Sequence, residues 1–306
     1  MNKILCVGEI LIDFIEEKSD ESLKFIANPG GAPANVAQVI GVLGGNASII
    51  GSVGYDSLGD FLENSLKENN VSTKYLIKTS VPTTIAFVTV SKNGERDFIF
   101  YRGADKELSI SSIKQDIINE SDIVHFGSAT AFLEGDLNEA YYYLLERSLK
   151  DDKLVSFDPN YREFFWGKNI ELFKKNALNF ILHSDFVKLN EEELMLISMK
   201  ESLSEAIDEF KNMYSATFAI TLGKKGCVIF NNEYTIEIES EKIDAVDTTG
   251  AGDAFVGTFL FNLAKYENMK STLKNREIIA EIGKLSNNIA GKICTRYGAL
   301  SALKDL

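Results

Sequence analysis

Cysteine and histidine are scarce in this chain of 306 residues. The three cysteines, Cys6, Cys227 and Cys294, lie far apart and form no Cys-x-x-Cys pair. This spacing argues against a disulfide framework and against a structural zinc site. With only two histidines, His125 and His183, a histidine-rich metal centre is excluded by number alone.

Basic residues are in the minority, and long apolar runs are absent. The chain has 32 Lys and Arg against 45 Asp and Glu, a net charge of −13. That balance argues against binding to nucleic acid or to anionic lipid. No run approaches the roughly 20 apolar residues of a membrane span, and Glu9 and Asp13 interrupt the apolar N-terminal run, unlike a signal sequence. We therefore expect a soluble, reduced, cytoplasmic protein with no nucleic-acid or membrane partner.

Proline is also rare, and the four prolines are scattered. Without repeats or a linker-like stretch, the chain is expected to form a single domain over residues 1–306. Short β-branched runs alternate with longer amphipathic stretches, which predicts an α/β fold with a mainly parallel central sheet flanked by helices. The predicted strands are Ile4–Val7, Ser48–Val53, Asp122–Phe126, Leu154–Phe157, Phe186–Leu189, Phe218–Leu222 and Cys227–Phe230. The predicted helices are Ala34–Leu43, Leu58–Asn69, Leu137–Lys150, Glu191–Ile197, Ser202–Met213, Ala254–Ala264 and Arg276–Ile293.

Two segments break this alternation. Residues 9–27 offer two extended stretches around a polar tip, and residues 83–105 include a hairpin with Asn93-Gly94 as its turn. Together they predict a small β-sheet that covers a ligand cleft as a lid; a peripheral hairpin without a binding role is the alternative. The exposed edge of such a sheet offers a pairing surface for a second copy, which predicts a homodimer.

The run Asp247-Thr-Thr-Gly-Ala-Gly-Asp253 directly precedes an apolar, helix-competent stretch. Gly250, Ala251 and Gly252 allow a tight turn and let a ligand approach the backbone amides. The unpaired N–H groups and positive dipole end of the helix point to the same place, which makes an anion cradle. A carboxylate at its mouth predicts that Asp253 takes the proton of a sugar hydroxyl during phosphoryl transfer; a helix cap is the alternative.

Other phosphate and nucleophile motifs are missing. The chain contains no Gly-x-x-x-x-Gly-Lys-Ser/Thr loop and no Gly-x-Ser-x-Gly elbow. The glycines at 250 and 252 lack the third glycine of the dinucleotide fingerprint. P-loop enzymes, Rossmann dehydrogenases and α/β-hydrolases are therefore poor interpretations.

A second glycine-rich run, Asn28-Pro-Gly-Gly-Ala-Pro-Ala-Asn35-Val-Ala37, opens the first predicted helix. Gly31 can bring the backbone close to a hydroxylated ligand. Asn35 offers a donor and an acceptor, as a sugar diol requires. A plain strand-to-helix turn is the alternative.

Together, the two runs resemble the signatures of the ribokinase-like (PfkB) carbohydrate kinases in order and separation, over essentially the whole chain. The resemblance implies ATP-dependent phosphorylation of a sugar, with Asp13 binding sugar hydroxyls. It also implies that Asn190 and Glu193 organise Mg²⁺ and phosphates, largely through water. An amide and a carboxylate at helical spacing suit a hydrated Mg²⁺, although an acidic helix start explains them equally.

The same resemblance extends to the nucleotide. It implies that the loop of Thr221, Gly223 and Gly226 contacts ATP, where a simple glycine turn is the alternative, and that Asn287 lies on the adenine side. Asp247 and Thr249 resemble a monovalent-cation site, which adds K⁺ to the implied cofactors. Thr258 departs from the family pattern, which has Gly or Ala at that position.

The sugar is indicated by two arginine segments. Asp158-Pro-Asn-Tyr-Arg162-Glu163 resembles an element of fructokinases and of 2-keto-3-deoxygluconate kinases, and Arg102 follows Phe100-Tyr101. Arg102 and Arg162 could each hold a phosphate or an acid group, or form surface ion pairs. The run Gly30-Gly-Ala-Pro-Ala-Asn35 and the segment Tyr161-Arg-Glu-x-x-Trp166 resemble fructokinases more closely. They favour fructose, phosphorylated to fructose 6-phosphate. The alternatives are the ketodeoxy acid, a nucleoside, or a non-catalytic sugar or nucleotide sensor of the same fold.

Overall fold

The computed structural model describes residues 1–17, 22–90, 96–296 and 298. The strands are β1 (Lys3–Val7), β2 (Leu11–Glu17), β3 (Lys24–Gly30), β4 (Asn46–Gly54), β5 (Val71–Thr79), β6 (Ile85–Val90), β7 (Arg96–Tyr101), β8 (Ile123–Phe126), β9 (Leu154–Phe157), β10 (Phe186–Asn190), β11 (Thr217–Thr221), β12 (Cys227–Phe230) and β13 (Thr235–Ile238). The helices are α1 (Ala32–Val42), α2 (Ser57–Glu68), α3 (Asp136–Lys150), α4 (Glu163–Trp166), α5 (Ile170–Leu182), α6 (Glu191–Ser198), α7 (Leu203–Met213), α8 (Ala251–Leu263), α9 (Met269–Thr272) and α10 (Arg276–Ile293).

The large sheet has the strand order β13-β12-β11-β10-β9-β8-β1-β4-β5. From β11 to β5 every neighbouring pair is parallel, and β12 and β13 add an antiparallel edge. Its inner strands β1, β8 and β9 are almost entirely apolar because both faces are covered, so neither face can carry the polar side chains of a half-exposed sheet. This arrangement confirms the predicted mainly parallel α/β architecture.

Helices bury the two faces of this sheet in separate apolar layers. One layer packs α3, α5, α6 and α7 against the sheet and includes Tyr141 and Phe180. The other packs α1, α2, α8 and α10 and includes Phe255 and Phe259. Phe259 stacks on Phe186 of β10 with ring centroids 4.0 Å apart, which fixes α8 over the middle of the sheet.

The smaller sheet has the order β3-β2-β6-β7, with β2 and β6 parallel and the outer pairs antiparallel. It confirms the small sheet expected from residues 9–27 and 83–105, although β3 continues to Gly30. The β6–β7 hairpin is present, but its predicted Asn93-Gly94 turn lies outside the described residues, as does part of the polar tip between β2 and β3.

Each strand and helix predicted from the sequence is present, with ends shifted by a few residues. The important shift is in α8, which begins at Ala251 and not at Ala254, because Gly250 adopts a left-handed φ of 78° and caps the helix. Asp253 therefore lies within the first turn. The sequence patterns did not identify the edge strands β5 and β13 or the helices α4, α5 and α9. No helix in the described part of the chain is long and apolar enough to cross a membrane.

The stacking of Phe259 on Phe186 predicts a strong dependence of stability on that ring. We expect Phe259→Ala to lower the free energy of unfolding by about 3–5 kcal/mol, because the fully buried ring leaves a cavity, as measured by denaturant unfolding. Leu182→Ala, at a side chain that is 60% exposed, should change it by less than about 0.5 kcal/mol. Equal losses in the two variants would contradict this packing.

Candidate active site

A cavity of about 560 Å³ opens at the carboxyl ends of the parallel strands. In open α/β sheets this edge is where loops from neighbouring strands converge, so ligand sites form there. Residues that follow β9, β10 and β11 line the cavity together with the first turns of α1 and α8. Leu11, Ala86 and Phe100 of the small sheet line it as well. The small sheet therefore forms part of the wall of this cavity.

The first turn of α8 presents backbone to this cavity. Gly250 and Gly252 line it, and their N–H groups have no hydrogen-bond partner within the described residues. The N–H of Ala251, in contrast, donates to the carbonyl of Thr248 at 3.2 Å, and Ala251 lines an adjacent cavity. Of the three predicted cradle residues, the two glycines are placed to receive an anion here.

Asp253 and Asn35 meet in the cavity although they lie far apart in the chain. Asn35 Nδ2 donates to Asp253 Oδ2 at 2.8 Å. Asn35 Oδ1 is buried and has no partner within the described residues. A buried acceptor without a donor is costly unless a ligand or water supplies one. The pair thus combines a carboxylate with an acceptor that suits a ligand hydroxyl.

Gly31 allows Asn35 to reach this position. Its φ of 98° lies in the left-handed region, and a Cβ there would collide with the carbonyl oxygen of Glu9. Only glycine permits this close approach of the chain before α1 to the end of β1. The glycine-rich run predicted as a sugar-binding turn therefore has a steric reason to be glycine.

The environment of Asp253 weakens its acidity. Burial raises the pKa of Asp253 and the nearby charge of Asp158 adds to this, whereas the Asn35 hydrogen bond and the charges of Lys188 and Arg162 oppose it. The net pKa lies above the ordinary range of aspartate. A carboxyl group with a raised pKa is a better proton acceptor than an exposed one, which suits a general base.

A buried ion pair lies beside the first turn of α8. Lys188 Nζ on β10 is 3.0 Å from Asp158 Oδ2, and the two side chains are 8% and 3% exposed. Burial opposes the charge of Lys188, but attraction to Asp158, Glu193 and Asp253 outweighs it and raises the lysine pKa. Lys188 therefore presents an ammonium group, paired with Asp158, to the cavity.

Asn190 and Glu193 lie at the start of α6, as the alternative of an acidic helix start required, and there they form a capping box. Asn190 Oδ1 accepts the Glu193 N–H at 2.7 Å, and the Glu193 carboxylate accepts the N–H groups of Asn190 and Tyr161. Both residues also line the cavity. A carboxylate has about four acceptor positions, so Glu193 retains capacity for the water shell of a Mg²⁺ ion.

No group of three or more acidic, histidine or cysteine side chains is placed to hold a metal within the described ranges. At the predicted monovalent-cation site, Asp247 Oδ1 accepts the N–H and the hydroxyl of Thr249, and Oδ2 accepts the Gly298 N–H. Carboxylate and hydroxyl oxygens thus lie together beside the glycine turn.

A second cavity, of about 820 Å³, adjoins the first across the start of α8. Thr221 and Gly223 line both cavities, whereas Gly226 and Asn287 line only the second. The residues predicted to contact a nucleotide are therefore brought together, on the side away from Asn35. The first turn of α8 lies between the cavity that contains Asn35 and the larger, more apolar second cavity.

Of the three remaining predicted residues, two line the first cavity and one does not. Asp13 and Arg162 line the first cavity. Arg102 is not among its lining residues, because its guanidinium binds the buried Asp105 at 2.9 Å and the Glu134 carbonyl at 2.7 Å. The structure thus gives Arg102 the ion-pair role considered as its alternative, fastening the end of β7 to the body of the protein.

No role was predicted from the sequence for Lys188, for the carboxylate of Asp158 or for three phenylalanines of the cavity. Lys188 interrupts the apolar run of β10, and a lysine in a strand covered on both faces is a recognisable signal because such residues are rarely buried unpaired. Phe100, Phe164 and Phe165 line the cavity and bridge the small sheet to α4, with Phe100 and Phe165 centroids 4.8 Å apart. No pattern in the sequence indicates that contact.

Comparisons with known proteins agree on one family. The chain matches the pfkB family of carbohydrate kinases over residues 1–306. It is 35% identical to fructokinase-2 of Zea mays over 316 aligned residues, covering 99% of this chain and 91% of that protein. The fructokinase of Xylella fastidiosa with bound ATP superimposes with a TM-score of 0.88 at 28% identity, covering 98% of this chain and 94% of that one. A double mutant of the Vibrio cholerae O395 fructokinase, bound to fructose, ADP and potassium, has a TM-score of 0.85 at 26% identity, with 99% and 95% covered.

The environment of Asp253 makes a prediction for the ligand-free protein. Titration of labelled aspartate carbons by NMR should give Asp253 a pKa above the ordinary value of about 3.9. Asn35→Ala should raise it further, because it removes the hydrogen bond that favours the charged form. Asn212→Ala, at an exposed position of α7, should leave it unchanged. A pKa at or below the ordinary value would contradict the burial of this carboxyl group.

Proposed function

The chain belongs to the pfkB family of carbohydrate kinases, and on this premise we propose that it transfers the γ-phosphate of ATP to the primary hydroxyl of fructose, giving fructose 6-phosphate. The observation that carries the proposal is the Asp253–Asn35 pair at the N-terminus of α8, inside a covered cavity. A carboxylate beside free helix N–H groups can activate a hydroxyl while the amides receive the phosphoryl charge.

In the reaction, the Asp253 carboxylate accepts the proton of the sugar hydroxyl. The sugar oxygen forms a bond to the γ-phosphorus as the bond from that phosphorus to the β–γ bridging oxygen breaks, and ADP leaves with the electron pair. The amides of Gly250 and Gly252 stabilise the negative charge on the transferred group. The raised pKa of Asp253 supports this role, because it makes proton transfer from an alcohol less unfavourable.

The sugar lies between the small sheet and α1. The unpartnered Asn35 Oδ1 accepts a sugar hydroxyl, and Asp13 and the backbone at Gly31 supply further contacts from the same side of the cavity. These groups hold the hydroxyl next to Asp253, and such positioning supplies much of the rate of a phosphoryl transfer.

ATP enters from the second cavity, with Asn287 on its base side and Thr221, Gly223 and Gly226 along its length. Mg²⁺ held through water by Asn190 and Glu193 would neutralise the phosphates, and K⁺ at Asp247 and Thr249 would order the glycine turn.

The contact of Phe100 with Phe165 closes the small sheet over the cavity and excludes water, which suppresses hydrolysis of ATP. A homodimer through the small sheet stays a prediction.

A second candidate substrate is 2-keto-3-deoxygluconate. Arg162 lines the sugar side of the cavity and could hold a carboxylate. Fructose is favoured because the relative named above and both of the solved neighbours named above are fructokinases. The loss of Arg102 from the cavity also removes one of the two cations that an acid substrate would use.

Asp253→Asn tests the proposed base. We expect kcat to fall by about 10²–10⁴-fold, measured as ADP release with MgATP and fructose, while fructose and nucleotide dissociation constants change little. Asp208→Asn, on the exposed face of α7, provides the matched control and should keep full activity. A near-normal kcat for Asp253→Asn would remove Asp253 from this role.

The substrate itself is tested by a panel of fructose, 2-keto-3-deoxygluconate, ribose, tagatose and adenosine. We expect strong turnover with fructose and weak turnover with the others, because the hydroxyls of the sugar donate to the amide and carboxylate oxygens that line the cavity, and the relative and solved neighbours named above are fructokinases. Selective turnover of the keto acid would replace fructose by the second candidate. Sugar-dependent thermal stabilisation without ADP release would indicate a sensor.

A further inference from the structure

The first cavity is rich in carboxylates, whose negative charges repel a phosphate ligand. Its lining includes Glu9, Asp13, Glu193 and Asp253, whereas Lys188 and Arg162 are the cations among the described lining residues. A nucleoside triphosphate would bring several further negative charges into this cavity. Positive charge must therefore face the transferring group, in addition to the helix amides and any bound cation.

The two cations differ in how the protein holds them. Arg162 is exposed, and one of its nitrogens donates to the carbonyl of Tyr161. Lys188 is buried on a central strand and fixed by Asp158. A cation on a rigid strand with a buried partner is preorganised, whereas an exposed arginine must be ordered when the ligand binds.

The ammonium of Lys188 has unused donors next to the helix. An ammonium carries three N–H donors; the described residues provide it with one acceptor, Asp158 Oδ2. Its Nζ also lies against Gly252, where a Cβ would come within 2.9 Å of it. The glycine thus brings the ammonium beside the same amides that face the cavity.

We propose that Lys188 is a catalytic residue whose ammonium donates a hydrogen bond to an oxygen of the phosphoryl group during its transfer, together with the amides of Gly250 and Gly252. The inference rests on the proposed kinase reaction. Lys188 stays protonated throughout, so the sugar proton still goes to Asp253 and the leaving electron pair to ADP. Asp158 acts as a positioning residue that aims the ammonium at the first turn of α8.

An alternative role for Lys188 acts through Asp253. The charged groups that face Asp253 are Lys188 on β10, Asp158 after β9, Arg162 before α4 and, through Lys188, Glu193 on α6. If Lys188 served only to keep Asp253 ionised, its loss would shift the acid limb of the pH–rate profile upward and full activity would return at high pH. A direct donor to the phosphoryl group gives a loss that no pH restores.

The test is Lys188→Met, assayed by ADP release with MgATP and fructose across the full pH range of activity. We expect kcat to fall about 10²-fold on the plateau, with MgADP and fructose dissociation constants from calorimetry close to those of the wild-type protein. Lys74→Met is the matched control, because Lys74 pairs with Glu120 on the surface, away from the cavity, and it should keep wild-type kinetics.

Lys188→Met leaves Asp158 buried without its cation, so a second variant, Lys188→Met/Asp158→Asn, removes both charges. It should show the same plateau loss in kcat. Recovery of full kcat at high pH, or a near-normal kcat at every pH, in either variant would overturn the proposal. A loss that appears only as weaker MgADP binding would also overturn it. Wild-type protein distinguishes failure of this proposal from failure of the proposed function: its inactivity towards every member of the substrate panel would refute the proposed function itself.

Discussion

The placement of the N-terminus of α8 against the carboxyl ends of the central strands is the constraint on which the site depends. Gly250 turns the chain in a left-handed conformation, and Gly252 leaves room for the Lys188 ammonium. The stacked rings of Phe186 and Phe259 hold the helix over β10. Because this stacking fixes the helix against the sheet, its unpaired amides and Asp253 face the same cavity without rearrangement.

Buried charge balances this arrangement. Asp158 and Glu193 are buried carboxylates, Asp253 is half-buried, and Lys188 is the ammonium that interacts with all three. Isolated buried charges are strongly unfavourable, so the group is stable only as a set. Lys188 thus offsets part of the negative charge that these carboxyl groups place beside the N-terminus of α8.

Structural and functional explanations are not exclusive in this protein. Asn190 and Glu193 form a complete capping box, yet both line the cavity, so one pair of side chains starts a helix and also faces the cavity. Arg102 shows the opposite outcome. Its ion pair with Asp105 ties the small sheet to the body, and it contributes to the cavity only by holding that sheet in place.

The sequence by itself determined the class of fold, the two glycine-rich turns and Asp253, because these depend on local properties: strand and helix periodicity, the need for glycine at tight turns, and an acid beside a helix start. The tertiary structure decided which of those residues share a cavity. It pairs Asn35 with Asp253, holds Arg102 against Asp105 outside the cavity, and pairs Lys188 with Asp158. Contacts between residues far apart in the chain depend on packing, which local sequence patterns do not encode. The edge strands β5 and β13 were not predicted for the same reason. Their mixed patterns of buried and exposed residues depend on pairing with β4 and β12.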